Sequence, residues 1–240
     1  MEVYRAKDSD RRYLKYEKSF LYSTAIIVAE EGKIKAVLEY EIKSLEYAKL
    51  VNFQIIENCD ESLAFKKLIE EIIYWSPYLN KIICNDERCK IREEILKDGG
   101  FIKNKNWAKI IDNGIEVFKV NIKDIKPEQL TVDKVKLERV NSWISCPEDV
   151  VVTCINIDDR IVSIDGHSRL VSAFLKGFSY VYGYYEIDNV DLKFFKTCIN
   201  WCEEKGIFSV EDLTKRVVSP KEHEEIWIKR CREYFKDKEK

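Results

Sequence analysis

The sequence predicts an α+β protein built from two domains, and three observations support this prediction. Short apolar runs bounded by turn residues are mixed with segments of helical apolar spacing in both halves of the chain. Glycine and proline number only 8 and 4 among 240 residues, which favours long regular elements. An Asn113-Gly114 turn signal separates the halves. We therefore expect one domain at residues 1–113 and a second at 114–240.

The composition is that of a folded globular chain. Hydrophobic residues make up 45% and charged residues 35%, which is unlike a disordered segment. The formal net charge of −2 provides no basic field that would attract nucleic acid. The composition therefore argues against a nucleic-acid partner.

The first thirty residues do not resemble a signal peptide, and no apolar run approaches membrane-spanning length. We therefore expect a cytoplasmic protein that is not associated with a membrane; its oligomeric state is left open. The eight cysteines are then expected to be thiols, and no Cys-x-x-Cys pair is present. Cys198 and Cys202 share a predicted helix face with Phe194, so small packing residues are favoured over a zinc site.

The first half follows the order strand, strand, strand, helix, strand, helix, strand. A Glu31-Gly32 turn joins the first two strands, an aspartate caps the first helix, and Gly99-Gly100 ends the second. The predicted ranges are two strands within 24–42, a strand at 47–56, a helix at 60–76, a strand at 80–85, a helix at 89–101 and a strand at 106–111.

The second half mixes strands with helices and ends in a helical segment. Asp158-Asp159 forms a predicted hairpin turn, and Gly177 ends the helix that follows this hairpin. The predicted ranges are a strand at 117–122, a turn at Lys126-Pro127, a helix at 132–144, strands at 150–157 and 160–164, a helix at 168–176, a strand at 180–186, and helices at 191–207, 209–218 and 219–235.

The element order of residues 1–111 resembles the core of the GNAT acyltransferases, and REEILKDGGFIKNKNWAKI resembles their closing helix and strand. The resemblance implies a glycine-rich loop that holds the coenzyme A pyrophosphate between the third predicted strand and the next helix. The corresponding QIIENCDESLAF has no glycine or arginine, and it carries Glu57, Asp60 and Glu61, with Glu39 as a possible neighbour. These carboxylates would repel a polyanion. We therefore expect a degenerate GNAT-like domain used for scaffolding or recognition, with an active acetyltransferase as an alternative.

The segment RIVSIDGHSRLVSAFLKGF places one of only two histidines between an aspartate and an arginine at a predicted helix start. Unpaired N–H groups and the helix dipole favour an anion beside Asp165 and Gly166. Arg169 can fork onto phosphate oxygens, His167 can donate to phosphate or handle a proton, and Asp165 can orient a metal ion or a hydroxyl. This combination suits phosphoryl transfer. A plain Asp-Gly turn followed by a capped helix is the alternative.

The segment VSIDGHSRLVSAFLKGFSYVYGYY resembles the ParB/sulfiredoxin-like superfamily, and IKDIKPEQL resembles the opening strand and turn of that fold. The closest match is the branch of free serine kinases. The resemblance implies ATP or ADP with Mg²⁺ as cofactors, and a role for Glu128 as the base toward the serine hydroxyl. Asp165 and His167 would be catalytic, with Asp165 also a possible Mg²⁺ ligand. The nucleotide phosphates would be bound by Gly166, His167, Ser168 and Arg169.

Ser168 departs from this pattern, because some members carry a second histidine at that position, and the contact made by that histidine is not expected here. The predicted function is a nucleotide-dependent small-molecule kinase acting on a free amino acid such as L-serine. His167 and Arg169 would neutralise the transferring group, and the second histidine, His223, is expected at the surface. The alternatives are a ParB-like nucleotide-gated module that binds DNA or a partner, and a GNAT-type acetyltransferase. The mixed charge of the C-terminal helices argues against DNA binding.

Overall fold

The structure, a computed structural model, describes residues 1–16, 18–19, 24–43, 45–85 and 89–238. The chain divides into two compact units, Met1–Ile115 and Glu116–Lys240. The boundary lies two residues after the one predicted from the Asn113-Gly114 turn. Each unit combines a mixed sheet with helices, so the predicted α+β class is confirmed.

The first unit is a seven-stranded sheet in the order β1-β2-β3-β4-β5-β7-β6. Strands β4 and β5 are parallel, and the other neighbouring pairs are antiparallel. Its elements are β1 (Glu2–Arg5), a 3₁₀ helix (Asp8–Tyr13), β2 (Ala25–Glu30), β3 (Lys33–Lys43), β4 (Tyr47–Ile55), α1 (Glu61–Trp75), β5 (Lys81–Cys84), α2 (Glu93–Asp98), β6 (Ile102–Lys103) and β7 (Trp107–Ile110).

Turn chemistry explains why the hairpin between β2 and β3 was predictable. Glu31 and Gly32 both have positive φ, at 51° and 74°, which is the backbone of a two-residue type I′ turn. Helix α1 packs its apolar face onto the sheet through Phe65, Leu68 and Ile72, all with 0% exposure. This packing forms the core of the first unit.

Helix α2 is shorter than predicted, because residues 89–92 precede it as irregular chain. Cys89 is buried in the core of the first unit, and its carbonyl accepts a hydrogen bond from the Ile91 N–H at 2.9 Å. This tight turn interrupts the helical path that the sequence pattern suggested. Strands β1 and β6 were not predicted, since segments of four and two residues at sheet edges carry little periodicity.

The second unit contains a five-stranded sheet in the order β8-β13-β11-β12-β9 and a short parallel pair, β10 with β14. Its elements are β8 (Phe118–Asn121), a 3₁₀ helix (Ile122–Asp124), β9 (Ile125–Pro127), β10 (Val132–Asp133), α3 (Lys134–Asn141), a 3₁₀ helix (Pro147–Asp149), β11 (Val151–Ile157), β12 (Arg160–Asp165), α4 (His167–Leu175), β13 (Tyr180–Tyr185), α5 (Leu192–Glu204), α6 (Val210–Thr214), β14 (Val217–Val218), α7 (Pro220–His223), a π-helical turn (Glu224–Ile228) and α8 (Lys229–Lys238).

The predicted turn at Lys126-Pro127 is wrong, because both residues lie in the edge strand β9. An edge strand tolerates proline, since its missing N–H faces no partner strand. Strand β9 runs parallel to β12, with Pro127 opposite Ser163. Glu128 follows β9 and Gly166 follows β12, so the two residues emerge at the same end of the sheet.

A β-bulge lies in β12 just before this end of the sheet. Thr153 of β11 pairs with Asp165 while Cys154 pairs with Ser163, so Ile164 is the extra residue. Bulges bend a strand and re-aim the side chains that follow. The irregularity sits one residue before the aspartate of the Asp-Gly-His-Ser-Arg motif.

Helix α4 is placed by its apolar face. Leu170, Val171 and Ala173 are fully buried in the core of the second unit, and Gly177 follows the helix with a φ of 77°. The predicted range of 168–176 is thus correct to within one residue at each end. The predicted helix at 209–218 is too long, because Val217–Val218 pairs with β10.

Within the part of the chain that the structure describes, no helix combines the length and the apolar composition that crossing a bilayer requires.

Candidate functional site

Helix α4 begins at a glycine. Gly166 is its N-cap residue, in the left-handed region at φ 96° and ψ 15°. The first hydrogen bond of the helix runs from the Leu170 N–H to the Gly166 carbonyl at 2.9 Å. The N–H groups of His167, Ser168 and Arg169 precede this bond, so the helix ladder itself gives them no acceptor.

This start differs from those of the other long helices that begin in non-helical backbone. Helices α1, α3 and α5 each begin after an aspartate, and its carboxylate accepts hydrogen bonds from N–H groups of the first turn. The three caps are Asp60, Asp133 and Asp191. Gly166 has no side chain that could satisfy these donors. The positive end of α4 is therefore left for an acceptor from elsewhere.

A glycine is also required at position 166 by packing. A Cβ built there would lie 2.8 Å from Val152 Cγ1, 3.0 Å from Arg169 Nη2 and 3.2 Å from Arg169 Nε. Val152 is fully buried and cannot withdraw freely. The chain therefore passes close to β11 at the point where the motif begins.

Gly166→Ala is expected to lower the free energy of unfolding by about 2 kcal/mol, because a left-handed backbone and a clash both penalise a Cβ. Gly177→Ala is the matched control, since φ there is 77° and nothing lies within 4 Å of the added Cβ. The control should cost only the backbone term, about 1 kcal/mol. Urea unfolding of both variants measures the difference, and equal losses would contradict the close packing at Gly166.

Asp165 and Arg169 form an ion pair across the start of α4. Arg169 Nη2 lies 2.9 Å from Asp165 Oδ2, and the two side chains are 29% and 71% exposed. The guanidinium thus lies over Gly166, beside the first turn of the helix. A pair with this exposure is worth little, typically 0–1 kcal/mol. Arg169 is therefore able to exchange Asp165 for a stronger anionic partner at low cost.

His167 is buried beneath this surface, at 4% exposure. Its ring has a hydrogen bond to the backbone of Ser163, and the buried Nε2 has no hydrogen-bond partner among the residues that the structure describes. Burial lowers the pKa of His167 to about 4, and the opposing effect of the Asp165 charge is smaller. The ring is therefore neutral at pH 7. Desolvation outweighs the nearby carboxylate, so without a bound anion the ring carries no positive charge.

Glu128 follows β9 and is also buried, at 3% exposure, and in the described part of the chain its Oε2 has no hydrogen-bond partner. Burial raises the pKa of Glu128 well above its ordinary value, and the charges of Cys231 and Asp165 add to this shift. A hydrogen bond with the Cys198 thiol acts in the opposite direction. Glu128 is thus within electrostatic range of Asp165, and its immediate surroundings include thiols of α5 and α8.

Glu128→Gln is expected to raise the free energy of unfolding by about 1–2 kcal/mol at alkaline pH, because an ionised carboxylate with an unsatisfied buried oxygen is costly. The folded-state pKa is raised, so wild-type stability falls as pH rises above the unfolded value. The variant lacks this fall. Denaturant unfolding from pH 5 to pH 9 tests it; parallel curves for the two proteins would show that Glu128 carries no such penalty.

The remaining predicted residues occupy the rim of the site. Ser168 is half-buried in the first turn of α4, where its N–H is one of the three that precede the helix ladder. Asp165 supplies the exposed carboxylate that was considered for Mg²⁺. Among the residues that the structure describes, no cluster of three histidine, cysteine or acidic side chains is arranged to hold a metal ion.

Sequence reasoning placed His223 at the surface, and this is wrong. His223 is 7% exposed, and its Nδ1 lies 2.9 Å from the Thr131 hydroxyl oxygen. It is close enough to contribute to the lowered pKa of His167, so both histidines of the chain lie in one region. The four-residue spacing from His223 to the buried Trp227 is the sequence signal from which this burial could have been predicted.

Two further interactions near the motif were not predicted. The Thr153 hydroxyl donates to the Tyr184 hydroxyl oxygen at 2.8 Å, and both residues lie in the same register row as Asp165. Lys126 is buried, and its Nζ lies 2.8 Å from Glu203 Oε1. These contacts fix the strand ends on either side of β12.

In the first unit, the helix start that would face a coenzyme A pyrophosphate is already occupied. Asp60 Oδ1 accepts the Leu63 N–H at 2.9 Å, Glu57 pairs with Lys35 at 3.1 Å, and Glu61 pairs with Arg92 at 2.7 Å. An incoming phosphate would have to displace the capping carboxylate.

Glu39 has a separate structural role. It is fully buried and accepts hydrogen bonds from the Lys15 and Tyr16 N–H groups and from Asn52 Nδ2, at 3.0, 2.9 and 2.7 Å. The carboxylate that was considered a neighbour of the loop therefore anchors residues 15 and 16 to the sheet.

No model of a known protein family matches the chain, and no curated protein matches it. Among solved structures, the protein Atu1540 from Agrobacterium tumefaciens is similar over part of its length. The superposition has a TM-score of 0.29 and 13% sequence identity, and it covers 44% of this chain and 62% of that one. A likeness at this level supports no conclusion on fold or function.

Proposed function

We propose that the second unit binds the phosphates of a nucleotide at the start of α4 and transfers a phosphoryl group to the hydroxyl of a small molecule. The favoured acceptor is a free amino acid such as L-serine, and the favoured nucleotide is ATP or ADP. The observation that carries the proposal is the start of α4, where the N-cap residue Gly166 has no capping side chain and the Arg169 guanidinium lies close by.

Arg169 is the cation of this site. Its present partner, Asp165, is 71% exposed, so their pair is screened by water. A phosphate offers a bidentate, charge-assisted partner at the same position, and the first-turn N–H groups of α4 add donors to the same anion. Binding of a phosphate would therefore replace a weak ion pair with several stronger contacts.

In this proposal the neutral ring of His167 donates from one nitrogen to the Ser163 backbone, so Nε2 is left as a hydrogen-bond acceptor. Nε2 would accept a hydrogen bond from the hydroxyl of the substrate or from an ordered water, and not from a phosphate oxygen without a proton. Charge neutralisation is then the task of Arg169 and the helix start.

The donor set fits Mg²⁺ only when the ion arrives with the nucleotide. Mg²⁺ is commonly held by one or two carboxylates together with substrate phosphates, and Asp165 is one exposed carboxylate at the site. When bound, the ion would neutralise charge on the phosphate oxygens. Asp165 would hold it after releasing Arg169.

Glu128 is the proposed proton acceptor for the substrate hydroxyl. A carboxylate with a raised pKa is a stronger base than an ordinary glutamate, and burial is the main cause of that rise. Glu128 follows β9, which runs parallel to the strand that ends at Asp165, so it lies at the same end of the sheet as the start of α4. The proton it accepts must then be released before the next turnover.

The test incubates the purified full chain with Mg²⁺, ATP or ADP, and L-serine, and detects phosphoserine by mass spectrometry. Formation of phosphoserine that is lost in Arg169→Gln is the expected result. Failure to form any phosphorylated amino acid, in a protein that binds nucleotide, would reject the kinase. Stabilisation by acetyl-CoA that is unchanged in Arg169→Gln would instead favour the first unit as the ligand-binding domain. A salt-dependent gel shift with duplex DNA would favour the ParB-like module.

A further inference from the structure

Helices α5 and α8 pack against each other through aromatic rings. Phe194 lies 5.1 Å from Tyr234 and 4.7 Å from Phe235 between ring centroids, and Trp201 lies 6.2 Å from Tyr234. Cys198 lies on α5 between Phe194 and Trp201 in sequence, and Cys231 lies one turn before Tyr234. The same packing places both thiols in one cluster, with Cys231 packed against the buried core that contains Cys198.

The two thiols differ in access and in acidity. Cys198 is fully buried, whereas Cys231 is half-buried. The bond with Cys231 and burial raise the pKa of the Cys198 thiol. The bond from Cys198, together with the Arg230 charge, lowers the pKa of the Cys231 thiol. An accessible cysteine with thiolate character next to a second thiol is the arrangement found in redox-sensing pairs.

We propose that Cys198 and Cys231 form a peroxide-responsive thiol pair whose disulfide links α5 to α8 beside Glu128. The Cys231 thiolate attacks hydrogen peroxide, the O–O bond breaks, and a sulfenic acid and hydroxide form. The Cys198 sulfur then attacks the sulfenic sulfur and loses its proton, and water leaves. In total two thiols and one peroxide give one disulfide and two waters, with two electrons passing to the peroxide.

Cys202 is the other thiol of α5, and its surroundings differ from those of Cys198. It lies one helical turn after Cys198 and is equally buried, and burial raises its pKa to about 12. Its charged surroundings are Glu128, Lys126 and Glu203. Cys198 is therefore the thiol of α5 that is placed to react with Cys231.

Oxidation removes a donor from Glu128. The one proton of the Cys198 thiol can be donated either to Cys231 or to Glu128, whereas a disulfide sulfur has no proton to donate to either group. Crosslinking therefore leaves Glu128 with fewer partners in a buried site. The effect on phosphoryl transfer rests on the proposed function, whereas formation of the disulfide does not.

The first experiment treats the reduced full-length protein with stoichiometric hydrogen peroxide and measures the intact mass and the peptide map. The expected product has lost two hydrogens, links the peptides of Cys198 and Cys231, and reverts with dithiothreitol. Cys231→Ser should abolish the link, and Cys146→Ser, a half-buried thiol of the same unit, should retain it. A Cys231 sulfinic acid beside a free Cys198 thiol would overturn the proposal, as would a link between other cysteines. The map of the wild type decides this even if a variant folds poorly.

The second experiment compares phosphoserine formation by the reduced and crosslinked proteins. About a tenfold lower rate in the crosslinked protein, restored by dithiothreitol, is expected because Glu128 loses a hydrogen bond. An unchanged rate in a crosslinked, active protein would overturn the regulatory effect. A reduced protein without activity would reject the proposed function, and the peptide map would still test the thiol pair.

Discussion

Arg169→Gln is expected to lower kcat/KM for phosphoryl transfer by about 1,000-fold, because arginines that stabilise a transferring phosphoryl group contribute factors of this size. Glutamine is shorter than arginine, but it keeps a planar polar end group and removes the charge. Arg169 is 29% exposed and pairs with the exposed Asp165, so the fold should tolerate the change. The loss should therefore appear in nucleotide binding and turnover while the unfolding midpoint stays near that of the wild type.

Two variants sharpen this experiment. Arg169→Lys keeps the charge but loses the planar fork, so an intermediate loss is expected if bidentate phosphate contact matters. Arg160→Gln is the matched control, since Arg160 lies at the opposite end of β12 and pairs with Glu203 at 3.5 Å. It should retain nearly full activity. An Arg169→Gln protein with more than a tenth of wild-type kcat/KM would contradict the role assigned to this guanidinium.

Stability is expected to fall by an amount on the order of 3 kcal/mol as pH drops from 6.5 to 4, because burial lowers the pKa of His167 to about 4. The unfolded state binds a proton at this histidine below pH 6.5, whereas the folded state resists it. The contribution is therefore complete above pH 6.5 and is lost as pH falls through this window. Urea unfolding at half-unit pH steps measures it.

His167→Asn removes the titrating ring while keeping an amide that can bond to the Ser163 backbone. Its stability baseline should be lower, because asparagine is smaller than histidine, but its decline between pH 6.5 and 4 should be shallower. The slope is the quantity to compare. If the wild type and His167→Asn lose stability in parallel over this range, the ring is not held neutral by burial.

Turn chemistry made the local geometry of the motif predictable. The Asp158-Asp159 pair adopts positive φ at 51° and 58° and closes the hairpin that delivers β12 to the site. Gly166 then starts α4 within one residue of the predicted position. These features depend on the backbone preferences of a few adjacent residues, and such preferences can be predicted from a single sequence.

The environment of the site was not predictable in the same way. The burial of His167 and Glu128 depends on the C-terminal helices, parts of which lie 60 or more residues later in the chain. The expectation that His223 lies at the surface came from the charge pattern alone. The ion pair of Asp165 with Arg169 is consistent with their i,i+4 spacing, but its position over Gly166 depends on the left-handed backbone. Tertiary packing therefore determines the pKa shifts of His167 and Glu128.

A titration of ¹⁵N-labelled full-length protein with Mg²⁺ and ADP, followed by amide chemical shifts, tests the phosphate site most directly. The amides of residues 166–169 should show the largest saturable shifts, while those at the Asp60-capped start of α1 should stay unchanged. Saturable binding that leaves residues 166–169 unperturbed, or no binding at millimolar ADP, would contradict a nucleotide site at the start of α4.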